Sequence, residues 1–348
     1  MDIKEIIQKL YDTNDASREE LLYLLDNIDD NSKKFLIEKA YETRYRYFKN
    51  TVFVRGLIEI SSYCKKDCRY CGLRRSNKNA ERYRLDIDDI LECVRRGDEL
   101  GYKTTVLQGG EDAFYTDEKM VEIIKAIKKE FPNNALTLSI GERSYESYKK
   151  LYEAGADRFL LRHESATRSL YESIHNTESF EERRRCLRDL KEIGFQAGAG
   201  FMVGLPNQTN EDLVNDLRYV KELEPAMCGI GPFIPHKDTP LRDCTAGTTE
   251  KTIILLAITR LLLPKVLLPA TTALASIDSN GRNEGLRAGA NVIMPNLSPM
   301  AVRKKYALYN NKAFILDEDA EYRKEIEEML RQSGFELVVA RGDNPDFV

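Results

Sequence analysis

Short apolar runs and amphipathic segments alternate along the chain from Val52 onward. The runs are rich in β-branched residues and predict strands, whereas apolar residues at three- and four-residue spacing between them predict helices. The predicted strands cover residues 56–62, 103–108, 135–140, 157–162, 195–203, 227–233, 266–273 and 291–294. Because strands that alternate with helices form parallel sheets, we predict an α/β fold, a parallel (β/α)8 TIM-type barrel. A doubly wound open sheet is the alternative.

Polar residues that start helices and glycines that end them support this alternation. Ser179 precedes Glu182 by three residues, which is the spacing of a capping box, and Asp86 and Ser144 stand before two other helices. Glycine adopts the left-handed conformation beyond a helix end at low cost. We therefore predict helix ends at Gly101, Gly155, Gly194 and Gly289.

Both ends of the chain depart from the repeat. Residues 1–51 carry amphipathic helical stripes and no visible chemistry, so we interpret them as an N-terminal helical cap. The barrel then spans residues 52–300. Residues 301–348 are predicted to form a short C-terminal extension packed on the barrel, with a helix at 319–333. We expect the polar end of the chain, from Gly342 onward, to fray.

Composition and charge exclude several classes of protein. Hydrophobic residues make up 42% of the chain and charged residues 32%, as in folded globular proteins. The net charge of −4 gives no overall basic field that would attract nucleic acid. The longest apolar run, 253–263, is too short to span a bilayer, and the N-terminus lacks the apolar region of a signal peptide. We expect a cytoplasmic protein that binds neither nucleic acid nor membranes.

Three cysteines follow the first predicted barrel strand, in the pattern C-x3-C-x2-C formed by Cys64, Cys68 and Cys71. Iron–sulfur clusters are held by thiolates at such short spacings. Three ligands on a four-iron cluster leave one iron open, as a catalytic zinc site keeps one open position. The alternatives are a structural zinc site, whose nearest histidine would be the distant His163, and three thiols that bind nothing.

Four further cysteines, Cys93, Cys186, Cys228 and Cys244, are scattered on predicted helices, a strand and a loop. None of them forms a pair at the short separations that favour metal sites. In a reducing compartment disulfides are also not expected. We therefore predict one 4Fe–4S cluster per chain.

The cysteine spacing, with the aromatic Tyr70 directly before Cys71, resembles the radical S-adenosylmethionine (SAM) superfamily. Further segments resemble its biotin synthase-like branch and, within it, the HydE family of FeFe-hydrogenase maturases. The resemblance runs from about residue 50 to about residue 310. It is carried by residues 55–60, 70–75, 82–84, 162–164, 202–206, 229–236 and 291–296.

Polar residues at the predicted strand ends suit a ligand site, because parallel barrels place catalytic groups there. Glu111 follows two glycines that let the backbone approach a ligand, and strand alternation puts Arg162 and Glu164 on the same side. An ion pair between these two is the alternative to ligand binding, whereas His163 is expected to be structural. The resemblance implies that SAM is bound by Gln108, Gly109, Gly110, Glu111, Ser139, Glu164 and Arg183.

An inner cavity is the second predicted site. An aliphatic core is the usual filling of a barrel, but arginines and threonines near the strand ends suggest a polar cavity that prefers anions. The candidate lining residues are Arg55, Arg158, Arg162, Thr271, Thr272, Met294 and Tyr306.

The resemblance also implies a reaction. The reduced cluster would cleave SAM to methionine and a 5′-deoxyadenosyl radical, with no catalytic side chain needed beyond the cluster and SAM. The substrate in that family is thought to be a cysteine-bound iron carbonyl cyanide complex, a small organometallic precursor of the hydrogenase H-cluster. The implied partners are an electron donor such as ferredoxin or flavodoxin and the other hydrogenase maturases.

Two other functions stay open at this point. One is a different enzyme of the biotin synthase-like branch, such as a methylornithine synthase or another enzyme of metallocofactor assembly. The other is a non-catalytic iron–sulfur scaffold, which would have no use for a SAM pocket.

Overall fold

The computed structural model describes residues 2–312 and 320–347 of the 348-residue chain. The strands are β1 (Thr51–Val54), β2 (Gly56–Ser61), β3 (Thr104–Gly109), β4 (Ala135–Ser139), β5 (Arg158–Leu160), β6 (Gln196–Val203), β7 (Met227–Pro232), β8 (Val292–Ile293) and β9 (Glu336–Val338). The helices are α1 (Ile3–Thr13), α2 (Arg18–Asn27), α3 (Asp30–Phe48), α4 (Ile87–Glu99), α5 (Asp117–Glu130), α6 (Tyr145–Glu153), α7 (Arg168–Ile174), α8 (Phe180–Ile193), α9 (Asn210–Leu223), α10 (Thr249–Leu262), α11 (Thr272–Ile277), α12 (Gly281–Arg287), α13 (Met300–Arg303) and α14 (Ala320–Gln332), and a short 3-10 helix covers Pro345–Phe347.

Strands β2 to β7 form a parallel sheet in chain order, which confirms the predicted α/β class. The sheet closes through the segment 266–270 and β8. The amide of Cys228 donates to the Leu267 carbonyl at 3.0 Å, and the amide of Ala270 donates to the Val292 carbonyl at 2.9 Å. On the other side, Leu57 in β2 donates to the Pro295 carbonyl at 2.8 Å. The predicted TIM-type barrel is therefore confirmed.

The seventh predicted strand, 266–273, is wrong at its C-terminal end. Only Leu267 and Pro269 make isolated strand bridges. Thr271 is the N-cap of α11, where its hydroxyl accepts a hydrogen bond from the Leu274 amide, and Thr272 is the first residue of that helix. Threonine suits both strands and N-caps, so local preference alone does not decide between them.

The predicted helix boundaries agree closely with the structure. Side chains of Asp86, Ser144 and Ser179 accept hydrogen bonds from backbone amides at the starts of α4, α6 and α8. The four glycines predicted at helix ends all have positive φ, between +78° and +114°: Gly101, Gly155, Gly194 and Gly289. Left-handed geometry at these positions is what glycine permits.

Helices α1 to α3 pack on the outer face of the barrel, and their apolar residues share its main hydrophobic core. The fully buried Arg44 of α3 donates to the Ala290 carbonyl at 2.8 Å, next to β8. Asn14 donates to the Leu261 carbonyl at 2.9 Å. The division of the chain at residues 51 and 300 stays a prediction, because these contacts make one continuous core.

The end of the chain is ordered by contacts at the N-terminal end of the barrel strands, so the expected fraying from Gly342 is wrong. Strand β9 pairs in parallel with β1. Beyond it, Asp343 accepts from the Arg158 guanidinium at 2.5 Å, and the buried Asn344 donates to the Ala226 carbonyl at 3.0 Å. Residue 319, where the last predicted helix begins, lies outside the described residues. None of the helices in the described ranges has the length and apolar character needed to cross a bilayer.

Replacing Asp343 is expected to destabilise the fold. Arg158 is completely buried, so Asp343→Ala would leave its guanidinium without a countercharge. Breaking a buried pair in this way costs about 3–5 kcal/mol, which urea unfolding of the purified protein measures. Asp346→Ala is the matched control, because its pair with Lys265 is exposed and such pairs contribute at most about 1 kcal/mol. Equal losses in the two variants would contradict this account of the chain end.

Candidate functional site

The three cysteines lie in the loop directly after β2, at the C-terminal end of the barrel strands. This loop packs against the segment after β3, where the amide of Lys65 donates to the Glu111 carbonyl at 2.9 Å. A side chain at Gly110 would place its Cβ 2.2 Å from the Tyr63 carbonyl oxygen, so only glycine fits there. The glycine pair after β3 therefore allows the cysteine loop and Glu111 to lie side by side.

Buried polar contacts fix the shape of the cysteine loop. Asp67 accepts from both the Nε and the Nη2 of Arg74, at 3.0 and 2.7 Å. Arg82 donates to the carbonyls of Ser62, Leu73 and other residues around the loop. These contacts hold the peptide that carries the thiols before any ligand binds, which is the preorganisation that a cofactor site needs.

The three thiols are partly buried. Burial raises the pKa of all three thiols. The pKa of Cys68 is raised well above its usual range, and that of Cys71 is raised to about 12. Because a metal ligand must be a thiolate, binding of iron would have to displace these protons. Within the described ranges, no three Cys, His, Asp or Glu side chains converge on a position for a single metal ion.

Glu111 lies beside the cysteine loop, and one of its two carboxylate oxygens accepts no hydrogen bond from the described residues. Its Oε1 accepts from the Glu142 amide at 3.1 Å, and its Oε2 is buried without a hydrogen-bond partner among the described residues. The ammonium groups of Lys65 and Lys66 lie 3.7 Å from Oε2. Burial raises the pKa of Glu111. A buried acceptor of this kind is suited to an amine donor of a ligand.

Arg183 is buried on α8, in the first helical turn. Its Nε donates to Glu142 Oε1 at 2.6 Å and its Nη1 donates to the Arg162 carbonyl at 2.6 Å. Glu142 also pairs with Lys66 at 2.5 Å. Burial opposes ionisation of Glu142, but the two cations outweigh it and lower its pKa. In the described part of the chain Nη2 of Arg183 has no partner, which leaves one donor for a ligand.

Arg162 and Glu164 lie beside each other beyond β5, which ends at Leu160 and not at residue 162 as predicted, so strand alternation does not set their directions. Their Nη2 and Oε2 atoms are 3.0 Å apart, so the ion pair weighed as the alternative is present. Both atoms are buried and make no hydrogen bond of good geometry with the described residues. Glu164 has φ of +64°, a conformation that costs a residue with a side chain about 1–3 kcal/mol and is typical of functional sites. The strained backbone aims Glu164 into the barrel mouth beside Arg162.

His163, between these two residues, is structural as expected. It is 1% exposed, and its Nδ1 accepts from the Gly200 amide at 3.3 Å. Its Nε2 lies 3.2 Å from Asp216 Oδ1. Both ring nitrogens are thus occupied by protein.

A polar layer crosses the barrel below the cysteine loop. Glu59, Gln108 and Ser139 pair in register on β2, β3 and β4. The Gln108 amide donates to the Tyr306 hydroxyl at 3.3 Å, and the fully buried Glu59 pairs with Lys312. Tyr306 and Lys312 belong to the segment 304–312, which is bonded to Gly72 and Pro235 through Leu308 and Asn310 and covers this part of the mouth.

The other predicted cavity residues are divided between the two ends of the barrel. Thr271 lies near Gly231 at the end of β7, with its Oγ1 3.0 Å from the position of an added Cβ, and the partly exposed Thr272 follows it. Met294 follows β8 and packs with an apolar group that includes Met227. Thr271 and Thr272 therefore lie at the side of the mouth, and Met294 lies in the barrel wall.

Arg55 and Arg158 lie at the opposite end, about 20 Å away by the six-residue length of β2. Arg158 binds Asp343 and the Arg341 carbonyl of the chain end. These contacts explain its burial and do not support a cavity role. Arg55 donates to the Met227 sulfur at 3.0 Å and keeps its Nε without a partner among the described residues, so its cavity role stays a prediction.

Sequence reasoning missed Glu59, Lys66 and Glu142. Glutamate is almost never fully buried unless it is paired. The position of Glu59 inside an apolar strand therefore indicated that it has a buried partner. Lys66 and Glu142 lie in loops rich in charge, and only the fold brings them together with Arg183.

The residues present fit a three-thiolate iron–sulfur cluster with SAM. Three thiols stand in one ordered loop, and two buried atoms at the barrel mouth, Glu111 Oε2 and Arg162 Nε, have no hydrogen-bond partner among the described residues. Native proteins rarely leave buried polar groups unpaired, and a polar ligand that binds at this mouth would satisfy them. The assignment of each contact to SAM stays a prediction.

Comparison with known proteins defines the class. A family model described as the Radical SAM superfamily matches residues 58–220, which include the cysteine loop and the strand ends up to β6. The structure is similar to the crystal structure of methylornithine synthase (PylB), with a TM-score of 0.87 and 25% identity, covering 99% of this chain and all of that one.

Two curated relatives narrow the family. The FeFe hydrogenase maturase subunit HydE of Thermotoga maritima is 46% identical over 316 residues, which cover 91% of this chain and 90% of the relative. The 3-methylornithine synthase of Methanosarcina acetivorans is 31% identical and covers 84% of this chain and 83% of its own. The chain therefore belongs to the radical SAM superfamily of enzymes and, within it, to the family of the HydE maturases.

Proposed function

We propose that this enzyme acts in assembly of the FeFe-hydrogenase H-cluster, as a maturase of the HydE type. The observation that carries the proposal is the three-cysteine loop beside Glu111 Oε2 and Arg162 Nε, two buried atoms without a hydrogen-bond partner among the described residues, in a chain 46% identical to a HydE maturase. When bound, a reduced 4Fe–4S cluster and SAM supply cleavage of the sulfonium C–S bond, which yields methionine and a 5′-deoxyadenosyl radical.

The side chains of this enzyme bind, orient and exclude water. Cys64, Cys68 and Cys71 would hold three irons, while the carboxylate of Glu111 accepts from the amino group of SAM. Arg183 Nη2 donates to the SAM carboxylate, and its other bonds to Glu142 and the Arg162 carbonyl fix its direction. We assign Gln108, Gly109, Gly110, Ser139 and Glu164 as the remaining SAM contacts.

The substrate in this proposal is an anionic, cysteine-bound iron carbonyl cyanide complex. Arg162 supports this choice, because its buried Nε has no protein partner in the described ranges and faces the mouth with Glu164. Charge-assisted donors of this kind are suited to anions. The covering segment 304–312 with Tyr306 would then exclude water from the substrate.

The proposal includes a cytoplasmic location, an electron donor of the ferredoxin or flavodoxin type, and cooperation with the other hydrogenase maturases. All seven cysteines are free thiols, which fits a reducing compartment. The similarity to a HydE maturase supports the cooperating partners.

One cluster per chain is expected. Cys93 and Cys186 are buried on separate outer helices, Cys228 is buried in β7, and Cys244 lies in a loop. Anaerobic reconstitution should therefore give about four irons and four sulfides per chain, with Mössbauer spectra of a single cubane. A reproducible count near six or eight that falls on replacement of Cys228 or Cys244 would show a second cluster.

A methylornithine synthase activity is the second candidate. The 31% identity and the TM-score of 0.87 to such enzymes favour it specifically. The identity to the HydE relative is higher over a longer stretch, so maturation is the first choice.

In vitro maturation tests the proposal. Apo-hydrogenase is incubated with the partner maturases, SAM and reductant, with and without this protein, and hydrogen evolution is measured. We expect activity only with the full set. If hydrogenase activity is the same without this protein, while methylornithine forms only in its presence, the second candidate is correct.

A further inference from the structure

Positive charge is concentrated around the cysteine loop. Residues 63–84 contain eight Lys or Arg and two Asp or Glu, a net charge of +6, although the whole chain carries −4. The remainder of the chain is therefore strongly acidic, so the loop stands out as a local basic region.

Part of this charge is used inside the protein. Arg74 is paired with Asp67, Arg84 makes two hydrogen bonds to Asp112, and Arg82 binds backbone carbonyls. Lys66 pairs with Glu142, and Arg69 donates to the Ser173 carbonyl. The remaining three charges point to solvent. The Lys65 side chain is 59% exposed, and Arg75 and Lys78 are exposed and make no ion pair in the part of the chain that the structure describes.

These exposed charges lie close to the thiols along the backbone. Hydrogen bonds from Arg74 to the Cys71 carbonyl at 3.1 Å and from Arg75 to the Lys66 carbonyl at 2.8 Å fold the stretch onto the cysteine loop. Arg75 is four residues beyond Cys71, so its Cα lies within about 15 Å of the cysteine Cα.

The basic surface extends past Lys78. A surface pocket of about 260 Å³ is lined by the residues that flank Lys78 and by Gly72, next to Cys71. Lys237, Lys304 and Lys305 add three more cations to its wall, against the acids Glu81 and Asp238. The positive face thus continues from the cysteine loop to the segment that covers the barrel mouth.

We propose that this face, defined by Arg75, Lys78, Lys237, Lys304 and Lys305, is the docking surface for an acidic one-electron carrier protein. The inference rests on the proposed function, because it names the surface on which the cluster is reduced. One electron passes from the carrier to the cluster, so the carrier is oxidised and the cluster reduced, and no bond forms or breaks.

The charge of this surface, more than its shape, favours an acidic electron carrier as the partner. Electron-transfer complexes are small and short-lived, and opposite charges around a site raise association rates by about 10- to 1000-fold at low salt. Nucleic acid would also be attracted to a basic surface, but it gains nothing from a position beside the thiols. A partner maturase is the other possible occupant, and the test separates it from the carrier.

The test uses the reconstituted holoenzyme and a purified flavodoxin in its fully reduced form. Stopped-flow absorbance measures the second-order rate constant of cluster reduction at ionic strengths of about 0.01 M and 1 M, where charges are screened beyond about 30 Å and 3 Å. The double variant Arg75→Glu with Lys78→Glu should react about tenfold more slowly at low salt. At high salt the difference from wild type should nearly vanish.

Three controls make the result specific. Reversing Lys125 and Lys129, two exposed lysines on α5, should leave the rate within about twofold of wild type. The neutral pair Arg75→Gln with Lys78→Gln should slow reduction in the same direction but less, which keeps the test valid if the reversed pair folds poorly. Dithionite should support the same 5′-deoxyadenosine formation in every variant.

If flavodoxin reduces the cluster at an unchanged rate at low salt in both the charge-reversed and the neutral double variant, the proposal is overturned. This holds even when these variants lose affinity for a partner maturase, because the surface then binds that protein instead. Equal loss with dithionite and flavodoxin overturns it as well, since the damage is then at the cluster. Failure of hydrogenase maturation with intact, salt-dependent flavodoxin reduction would overturn the proposed function and leave the docking surface standing.

Discussion

Cys68→Ser is expected to abolish both the cluster and SAM cleavage. Cys68 lies between the other two cysteines in a loop fixed by Asp67, Arg74 and Arg82, so no other thiol can take its place. A serine hydroxyl is a harder and more basic donor that does not suit this iron site. Iron counts and 5′-deoxyadenosine formation, measured after anaerobic reconstitution, should both fall to background.

Cys244→Ser provides the matched control for this variant. Cys244 is a partly exposed cysteine in the loop after β7, and it should be replaceable with full cluster content and normal turnover. A Cys68→Ser protein that kept a complete cubane and normal SAM cleavage would show that the ligand assignment is wrong.

Arg183→Ala has the second largest expected effect, a tenfold to hundredfold loss of SAM affinity with the cluster retained. A charge-assisted hydrogen bond to a carboxylate contributes about 1.5–3 kcal/mol, and Arg183 Nη2 is the donor that the described protein leaves open. Removal of the guanidinium also leaves Glu142 paired with Lys66 alone among the described residues. Equilibrium binding of SAM to the reconstituted protein measures the change.

Arg188→Ala, on the exposed side of the same helix, should leave SAM binding unchanged. If the dissociation constant for SAM is unaltered in Arg183→Ala as well, the role of Arg183 is limited to supporting Glu142 and the chain around Arg162.

The barrel was predictable because its elements carry local patterns. Seven of the eight predicted strands and the helix ends at the four glycines are visible in apolar runs and single residues. The segment 266–270 was predictable as an apolar run, but Thr271 ends it as a helix cap. The prediction for the end of the chain was wrong for a different reason. Its polar sequence, which begins with Gly342, suggests fraying, whereas Asp343 is held by Arg158, 185 positions away.

In the candidate site, too, the local features were predictable and the long-range contacts were not. Cysteine spacing is local, so the thiols and the glycines that pack against them are readable from the sequence. The contact between Arg183 and Glu142 joins residues 41 positions apart, and the partner of the buried Glu59 is Lys312, 253 positions away. Contacts of this kind depend on closure of the barrel, for which single segments carry no pattern.

The most direct test of the central claim is SAM cleavage by the purified protein. The reconstituted enzyme is incubated anaerobically with SAM and dithionite, and 5′-deoxyadenosine and methionine are quantified. A three-thiolate cluster site with a SAM pocket predicts that both products form in nearly equal amounts, and that neither forms without dithionite. A protein with a full complement of about four irons per chain that produced no 5′-deoxyadenosine above the enzyme-free background would contradict the account and point to an iron–sulfur scaffold.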